Sequence, residues 1–223
     1  MRRRQLLGGV TAFGTAAVAG CLSRSGSSVA LEPPADRQFD SEELPYPAYG
    51  QSFPEFTLPN PLSGETVATA QLDETLVVTA FFTTCPAECV QLIGQLAGVQ
   101  HGTVEADIDN VVRFLAITFD PERDDAAAIR EYAARMRVDL DAGNWTFLRP
   151  PDAEAAARLV DERLGISYER VGESARLDGY DFNHLSLTYL VNPAGYVERA
   201  YRTSQPDAER LLSNVEAVVE RFG

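Results

Sequence analysis

No lysine occurs anywhere in the 223 residues: all 19 basic side chains are arginines, set against 33 aspartates and glutamates, for a formal net charge of −14. The acids are scattered rather than gathered into one tail. They describe a solvated acidic surface and argue against nucleic acid as a partner. A lysine-free, strongly acidic composition also resembles that of halophilic proteins, whose charge is screened by salt. Long apolar runs are missing as well. The one near the N-terminus is broken by glycines and threonines and is short for a bilayer span, which needs roughly 20 apolar residues. There is no internal repeat. Side chains suited to metal or redox chemistry are few, with three cysteines, two histidines and two methionines. What the chain does have is 45% hydrophobic residues, enough to fill a core. Its length fits one ordinary domain once an export segment is removed.

That export segment is residues 1–20. Arg2-Arg3-Arg4 precedes Gln5-Leu6-Leu7 and a short apolar run, the layout of a signal peptide with a twin-arginine-like start. It ends in Val18-Ala19-Gly20-Cys21, which resembles a lipobox: small residues before a cysteine whose thiol takes a lipid. Cleavage there leaves Cys21 as a lipidated first residue, and 16 arginines against 33 acids. The expected location is the outer face of the cytoplasmic membrane. Residues 21–50 are rich in serine, proline and acids and read as a flexible tether, with Pro45-Tyr46-Pro47 extended and able to pack on a domain edge.

Residues 51–223 read as one α/β domain. Phe53–Leu58 and Thr66–Leu72 flank Pro61-Leu62-Ser63-Gly64, which predicts a hairpin. Leu76–Phe82 is almost continuously apolar, as expected of a strand buried on both faces, and Val111–Phe119 repeats the pattern. A helix is expected after Cys85-Pro86. A second, Asp124–Arg137, places Ile129, Tyr132, Ala133 and Met136 at i, i+3, i+4 and i+7. Trp145–Leu148 predicts a short strand, and Asp152–Leu164 a helix capped by Asp152 and ended by Gly165. His184–Val191 reads as a strand, turned by Asn192-Pro193-Ala194-Gly195 onto an antiparallel partner, Tyr196–Arg202. Pro206–Phe222 closes as a helix. The order matches a thioredoxin-like sheet flanked by helices, with an added N-terminal β-hairpin.

The informative segment is Thr84-Cys85-Pro86-Ala87-Glu88-Cys89, at the hand-over from the first buried strand to a helix. Pro86 suits a first helical turn, which would set Cys85 near the N-cap and Cys89 one turn later. On a helix such residues have Cβ atoms about 5–6 Å apart, so the sulfurs could share a metal ion or, oxidised, a disulfide. Backbone N–H groups at the helix start favour a thiolate. Of the histidines, His101 reads as a surface or capping residue. His184 opens the predicted strand, and in thioredoxin-like folds the loop before that strand faces the cysteine motif. Thioredoxins hold a cis-proline there; this chain offers an imidazole. Two thiolates and one imidazole form a soft three-ligand set that suits Cu(I) first and zinc second. Structural zinc wants a fourth protein ligand, and none is evident. A blue-copper centre would need a second histidine and a methionine at the site.

With Phe81-Phe82-Thr83-Thr84-Cys85-Pro86-Ala87-Glu88-Cys89 and Asp178-Gly179-Tyr180-Asp181-Phe182-Asn183-His184 in view, the chain resembles the Sco/SenC family. Phe119-Asp120-Pro121-Glu122-Arg123-Asp124 and Tyr189-Leu190-Val191-Asn192-Pro193-Ala194-Gly195 add to the likeness, which runs from about Phe53 to the C-terminus. The resemblance implies a membrane-anchored, thioredoxin-fold metallochaperone rather than an enzyme. It would bind copper, as Cu(I) or also as Cu(II), through Cys85, Cys89 and His184, and help build the CuA centre in subunit II of cytochrome oxidase. Two positions depart from the family pattern. Val90 stands where a proline usually follows the second cysteine, and Asn183 where an aspartate usually precedes the histidine. Asn183, with Asp181 beside it, is expected to support the imidazole from behind the ligands, without the family's charge at that position. Two rival readings use the same cysteines: a thiol-disulfide reductase that keeps oxidase cysteines reduced, and a thiol peroxidase. The latter fits worse, since Phe82 stands where peroxiredoxins carry a threonine three residues before the reactive cysteine.

Overall fold

The computed structural model describes residues 28–172 and 180–223. The expected export signal, Cys21 and the pair Asp178-Gly179 lie outside the described residues. The centre is a five-stranded sheet built from β3 (Thr75–Phe81), β4 (Val112–Thr118), β5 (Trp145–Leu148), β8 (Thr188–Val191) and β9 (Val197–Tyr201), in the order β5-β4-β3-β8-β9. The β3, β4 and β5 strands run parallel, while β8 and β9 are antiparallel to their neighbours. All seven residues of β3 are buried, which is why its sequence is apolar without alternation. Outside this sheet stand two ribbons: β1 (Thr57–Pro59) with β2 (Thr66–Ala68), and β6 (Tyr168–Val171) with β7 (Asp181–His184). The fold is the expected α/β, thioredoxin-like one, with the N-terminal hairpin present but shorter than predicted.

Among the described residues, four α-helices flank the sheet. The longest, α1 (Glu88–Glu105), packs against α4 (Ala208–Phe222). They meet at Gly102, where a Cβ would stand 2.5 Å from Leu212 Cδ2, so a larger residue there would make the Leu212 side chain move aside. α2 (Ala126–Arg135) stacks Tyr132 on Phe81 of the sheet, ring centroids 5.2 Å apart. α3 (Ala153–Ala156) starts under the predicted Asp152 cap and continues as a π-helical stretch, Ala157–Arg163. Gly165 ends it at φ +62°, with no room for a side chain because the Pro45 carbonyl and Tyr46 press on it. Pro45-Tyr46-Pro47 thus does pack on the domain. Further upstream, the Ala30 and Leu31 N–H groups donate to the buried Glu198 carboxylate at 2.7 and 3.0 Å, so part of the segment read as a tether lies against the body.

Three local expectations change. His184–Val191 is not one strand: β8 begins only at Thr188, and His184 ends β7, paired with Tyr168 of β6. Between them the chain leaves the ladder, with the Leu185 N–H bonded to the Ser167 carbonyl and the Leu187 carbonyl accepting from Thr79 Oγ1. The second helix is capped by Asp125, whose carboxylate accepts from the Ala127 and Ala128 N–H groups, so Asp124 precedes it and points inward. α1 likewise starts at Glu88 with Ala87 as its N-cap, and Cys85-Pro86 lies in the approach loop.

Candidate metal centre

Parallel strands that begin in register also end together, and that places the site. Phe81 of β3 pairs with Thr118 of β4, so the next residues, Phe82 and Phe119, stand side by side at the carboxyl end of the sheet. Their rings are 5.2 Å apart. The chain then turns through Thr83 and Thr84 to Cys85, and α1 carries Cys89 in its first turn. The helix start is why the sulfurs meet: the Cys89 N–H donates to Cys85 Sγ at 3.3 Å. The expected proximity therefore holds, through a loop sulfur received by a helix rather than two positions on one helix.

The β6–β7 ribbon brings the third donor. His184 Nε2 lies 3.5 Å from Cys89 Sγ and 3.9 Å from Cys85 Sγ, and the three donor atoms are all within 4.8 Å of one another. Donors bound at about 2.0–2.3 Å in a trigonal arrangement stand roughly 3.7 Å apart, so the spacing suits one soft ion. Both sulfurs are free thiols, 4% and 0% exposed, and His184 is partly buried. Its ring is edge-on to Phe82 at 5.7 Å and lies 5.5 Å from Phe119. These two rings were not singled out from the sequence as part of a site. The signal was present in their place, one residue past the end of each central strand.

Charge is divided unequally between the thiols. Cys85 is drawn down to about 5, chiefly by the hydrogen bond from the Cys89 side chain, against burial, with help from His184 and the N–H groups of Ala87 and Cys89. Cys89 is pushed up, first by burial and then by the neighbouring Cys85. The pair thus favours one thiolate. Burial would lower the His184 pKa, but hydrogen bonds to Cys85 and to the Leu185 carbonyl, with the Cys85 charge, raise it overall. The Leu185 carbonyl, 3.2 Å from Nδ1, is the partner expected of Asn183 or Asp181. Neither of those side chains is bonded to the imidazole. Alternate strand residues face opposite ways, so Asn183 is turned out to solvent beside His184. Asp181 instead accepts from the Phe182 N–H. His101 is exposed on α1, bonded to the Arg137 carbonyl, away from the cysteines.

One short turn, Asp120–Asp124, holds both ligand-bearing segments. Asp124 is fully buried and accepts from the Thr83 N–H at 3.2 Å and from the hydroxyls of Thr83 and Thr118. Burial raises its pKa to about 6 against those hydrogen bonds. Toward the ribbon, Tyr180 donates its hydroxyl to Asp120 at 2.7 Å, and Arg123 donates to the Tyr180 carbonyl at 2.7 Å. The guanidinium groups of Arg123 and Arg170 both stack on the Tyr180 ring, at 3.8 and 3.2 Å. Family-like segments that are far apart in sequence are thus clasped together around the donors.

The SCO1/SenC family model matches residues 49–220. Among individual proteins, the chain is 27% identical to a SCO2-like protein of Rickettsia conorii over 126 residues, 56% of this chain and 57% of that protein. It is 27% identical to a SCO1 protein homolog of Bacillus subtilis over 121 residues, 54% of this chain and 58% of the other. The matches span somewhat more than half of those relatives' own length. Among solved structures, a SCO1/SenC family lipoprotein from Bacillus anthracis superposes with a TM-score of 0.62 at 18% identity, covering 79% of this chain and 96% of the other. Arabidopsis thaliana ScoI with copper bound gives 0.62 at 20% identity, covering 75% and 98%.

Proposed function

We propose that this chain, which belongs to the SCO1/SenC family, binds one copper ion between Cys85, Cys89 and His184 and delivers it to the CuA centre of a haem-copper oxidase. The observation that carries this reading is the convergence of two thiols and one imidazole within 4.8 Å at the carboxyl end of the sheet. Cys85 enters as a ready thiolate. Cys89 must lose a proton that its surroundings hold, so a metal bound there releases that proton. Phe82 and Phe119 keep water from one side of the imidazole. Copper is a fitting cargo because two sulfurs and a nitrogen match its preference for soft donors. Copper-bound members of the family, such as the Arabidopsis protein, support the choice.

The same two thiols, one charged and one protonated, would also serve a thiol-disulfide reductase, with Cys85 as attacking sulfur. His184 separates the two functions. A reductase needs both sulfurs, whereas a copper donor also needs the imidazole. In a His184→Ala strain grown with limiting copper, CuA absorbance and oxidase activity are expected to fall as they do in a Cys85→Ala strain. Thiol exchange by the purified variant should stay within about tenfold of wild type, roughly 1.4 kcal/mol in barrier. Normal CuA assembly in the His184→Ala strain beside failure in the Cys85→Ala strain would establish the reductase instead.

Delivery at the outer face of the cytoplasmic membrane is part of the proposal, through a lipid on Cys21. Val18-Ala19-Gly20-Cys21 supports it. The intact mass of the membrane-extracted protein should correspond to a chain beginning at Cys21 plus a lipid. A mass that still includes residues 1–20 rules the anchor out.

A further inference from the structure

A second concave site lies on another face of the molecule. It is a cleft of about 480 Å³ between the N-terminal segment around Phe39–Tyr49 and the end of β9 with the start of α4. That volume falls within the range of small-ligand sites. Four arginines line it, Arg37, Arg199, Arg202 and Arg210, in a chain whose formal net charge is −14. Arg37 pairs with Asp40 at 2.5 Å. Arg199, Arg202 and Arg210 form no ion pair among the described residues. Arginines without an ion pair occur elsewhere on this chain too, Arg130 and Arg163 among them; what distinguishes these three is that they gather in one cleft. Two carboxylates also line the cleft, Asp36 and Asp207; the latter already accepts from the Arg210 backbone N–H as the cap of α4.

Arg199 carries the argument furthest. Its Nε is buried and has no hydrogen-bond partner, while its NH1 donates to the Glu198 carbonyl. Burial lowers its pKa, with nearby Arg210 acting the same way and the Glu198 charge acting against it from beyond ion-pair distance. Two tyrosines steady the cations: Arg199 lies 5.7 Å from the Tyr49 ring and Arg202 5.5 Å from the Tyr46 ring. Phe39, 58% exposed, adds an apolar surface to the same cleft.

We propose that this cleft binds a phosphate-bearing anion, whose oxygens take the free guanidinium donors of Arg199, Arg202 and Arg210 while Phe39 and the tyrosines contact its organic part. Planar guanidinium forks match phosphate oxygens in pairs. Three cations drawn from a strand, its following loop and a helix surround the group rather than meet it from one side. Two sources offer this chemistry, a soluble phosphate ester and the headgroup of an anionic phospholipid. The site is independent of the copper reading, since none of its residues touches Cys85, Cys89 or His184.

The test uses the full chain with Cys21→Ser, so that no lipid is attached, beside the same chain carrying Arg202→Gln and Arg210→Gln. Both substituted arginines are exposed, so the fold should tolerate the change. A third chain carries Arg199→Gln. Thermal unfolding is followed in inorganic phosphate and in glycerol 1-phosphate, each against chloride at equal ionic strength. Flotation is measured with vesicles of phosphatidylglycerol and of phosphatidylcholine, the latter correcting for the apolar residues 1–20. Soluble phosphates should raise the unfolding midpoint of the parent by roughly 2 °C or more and leave the arginine variants unmoved. Arginine-dependent flotation with phosphatidylglycerol alone, without a soluble-phosphate shift, would support the site and assign it to a lipid headgroup. The proposal is overturned if phosphate acts no differently from chloride and the two vesicles bind alike, or if the variants respond as the parent does. Copper uptake should be equal in all three chains, which separates failure here from failure of the metal site.

Discussion

Cys85→Ala and Cys89→Ala should each lower the affinity of the reduced protein for Cu(I) by at least about a thousandfold, roughly 4 kcal/mol. The size of the effect follows from the poverty of the chain. Cys85, Cys89 and His184 form the one group of its kind among the described residues, so a lost thiolate has no substitute. One sulfur and one imidazole leave a poor site for a soft ion. His184→Ala should weaken binding less than either cysteine change, because two sulfurs remain. His101→Ala should change nothing, since His101 is bonded to the Arg137 carbonyl on the far part of α1. Competition against a Cu(I) chelator measures all four, with one copper per chain expected for wild type. An equal loss in His101→Ala and His184→Ala would break the ligand assignment.

Copper-free, reduced protein should titrate its two thiols in two separate steps. Thiolate absorbance should rise by one equivalent around pH 5, where Cys85 ionises, and by a second only above the ordinary thiol range, where Cys89 does. Cys85→Ser should erase the acid step. The same division fixes how stability depends on pH. Cys85 has a folded pKa below its unfolded one, so its contribution is complete above about pH 9 and is lost as pH falls toward 5. Cys89 has the opposite sign, and its contribution fades as pH climbs beyond the unfolded value near 9. Asp124, raised to about 6, loses its contribution as pH rises toward and past that value, which makes pH 6–9 the cleaner window. Across it, wild type should gain stability relative to Cys85→Ser. A single thiol step near pH 8.5 for both cysteines would refute the unequal pair.

Much of this site could be read from the chain itself, because buried parallel strands leave a loud pattern and cysteines are rare. Leu76–Phe82 and Val111–Phe119 announced themselves as continuous apolar runs, and their ends fixed where Cys85 had to emerge. The β6–β7 ribbon is not legible in the sequence for the converse reason. Tyr168–Val171 alternates only weakly, has no fully buried residue, and pairs with residues ten to sixteen positions away, so neither burial nor a tight turn marks it. The sequence pattern therefore places His184 on the central strand, yet both placements bring it to the same end of the sheet, beside the two cysteines. Asp124 was read as the start of a helix. Two consecutive aspartates offer the cap equally well, and only the three-dimensional position of Thr83 and Thr118 decides that Asp125 caps while Asp124 is buried.

The segment before the hairpin has a bearing on self-association. A sheet whose outer strand shows bare N–H and C=O groups is a template for pairing with another copy. Here the outermost strand at one side begins under cover. The Gly50 N–H donates to the Val197 carbonyl, the Val197 N–H to the Gln51 carbonyl, and the Phe53 N–H to the Gly195 carbonyl. At the opposite side, the residue that follows β5 is engaged in the same way, with the Arg149 N–H bonded to the Pro59 carbonyl at the end of β1. The chain's own residues 50–59 thus occupy hydrogen-bonding positions at both margins of the sheet, which leaves fewer bare groups there for another copy to pair with.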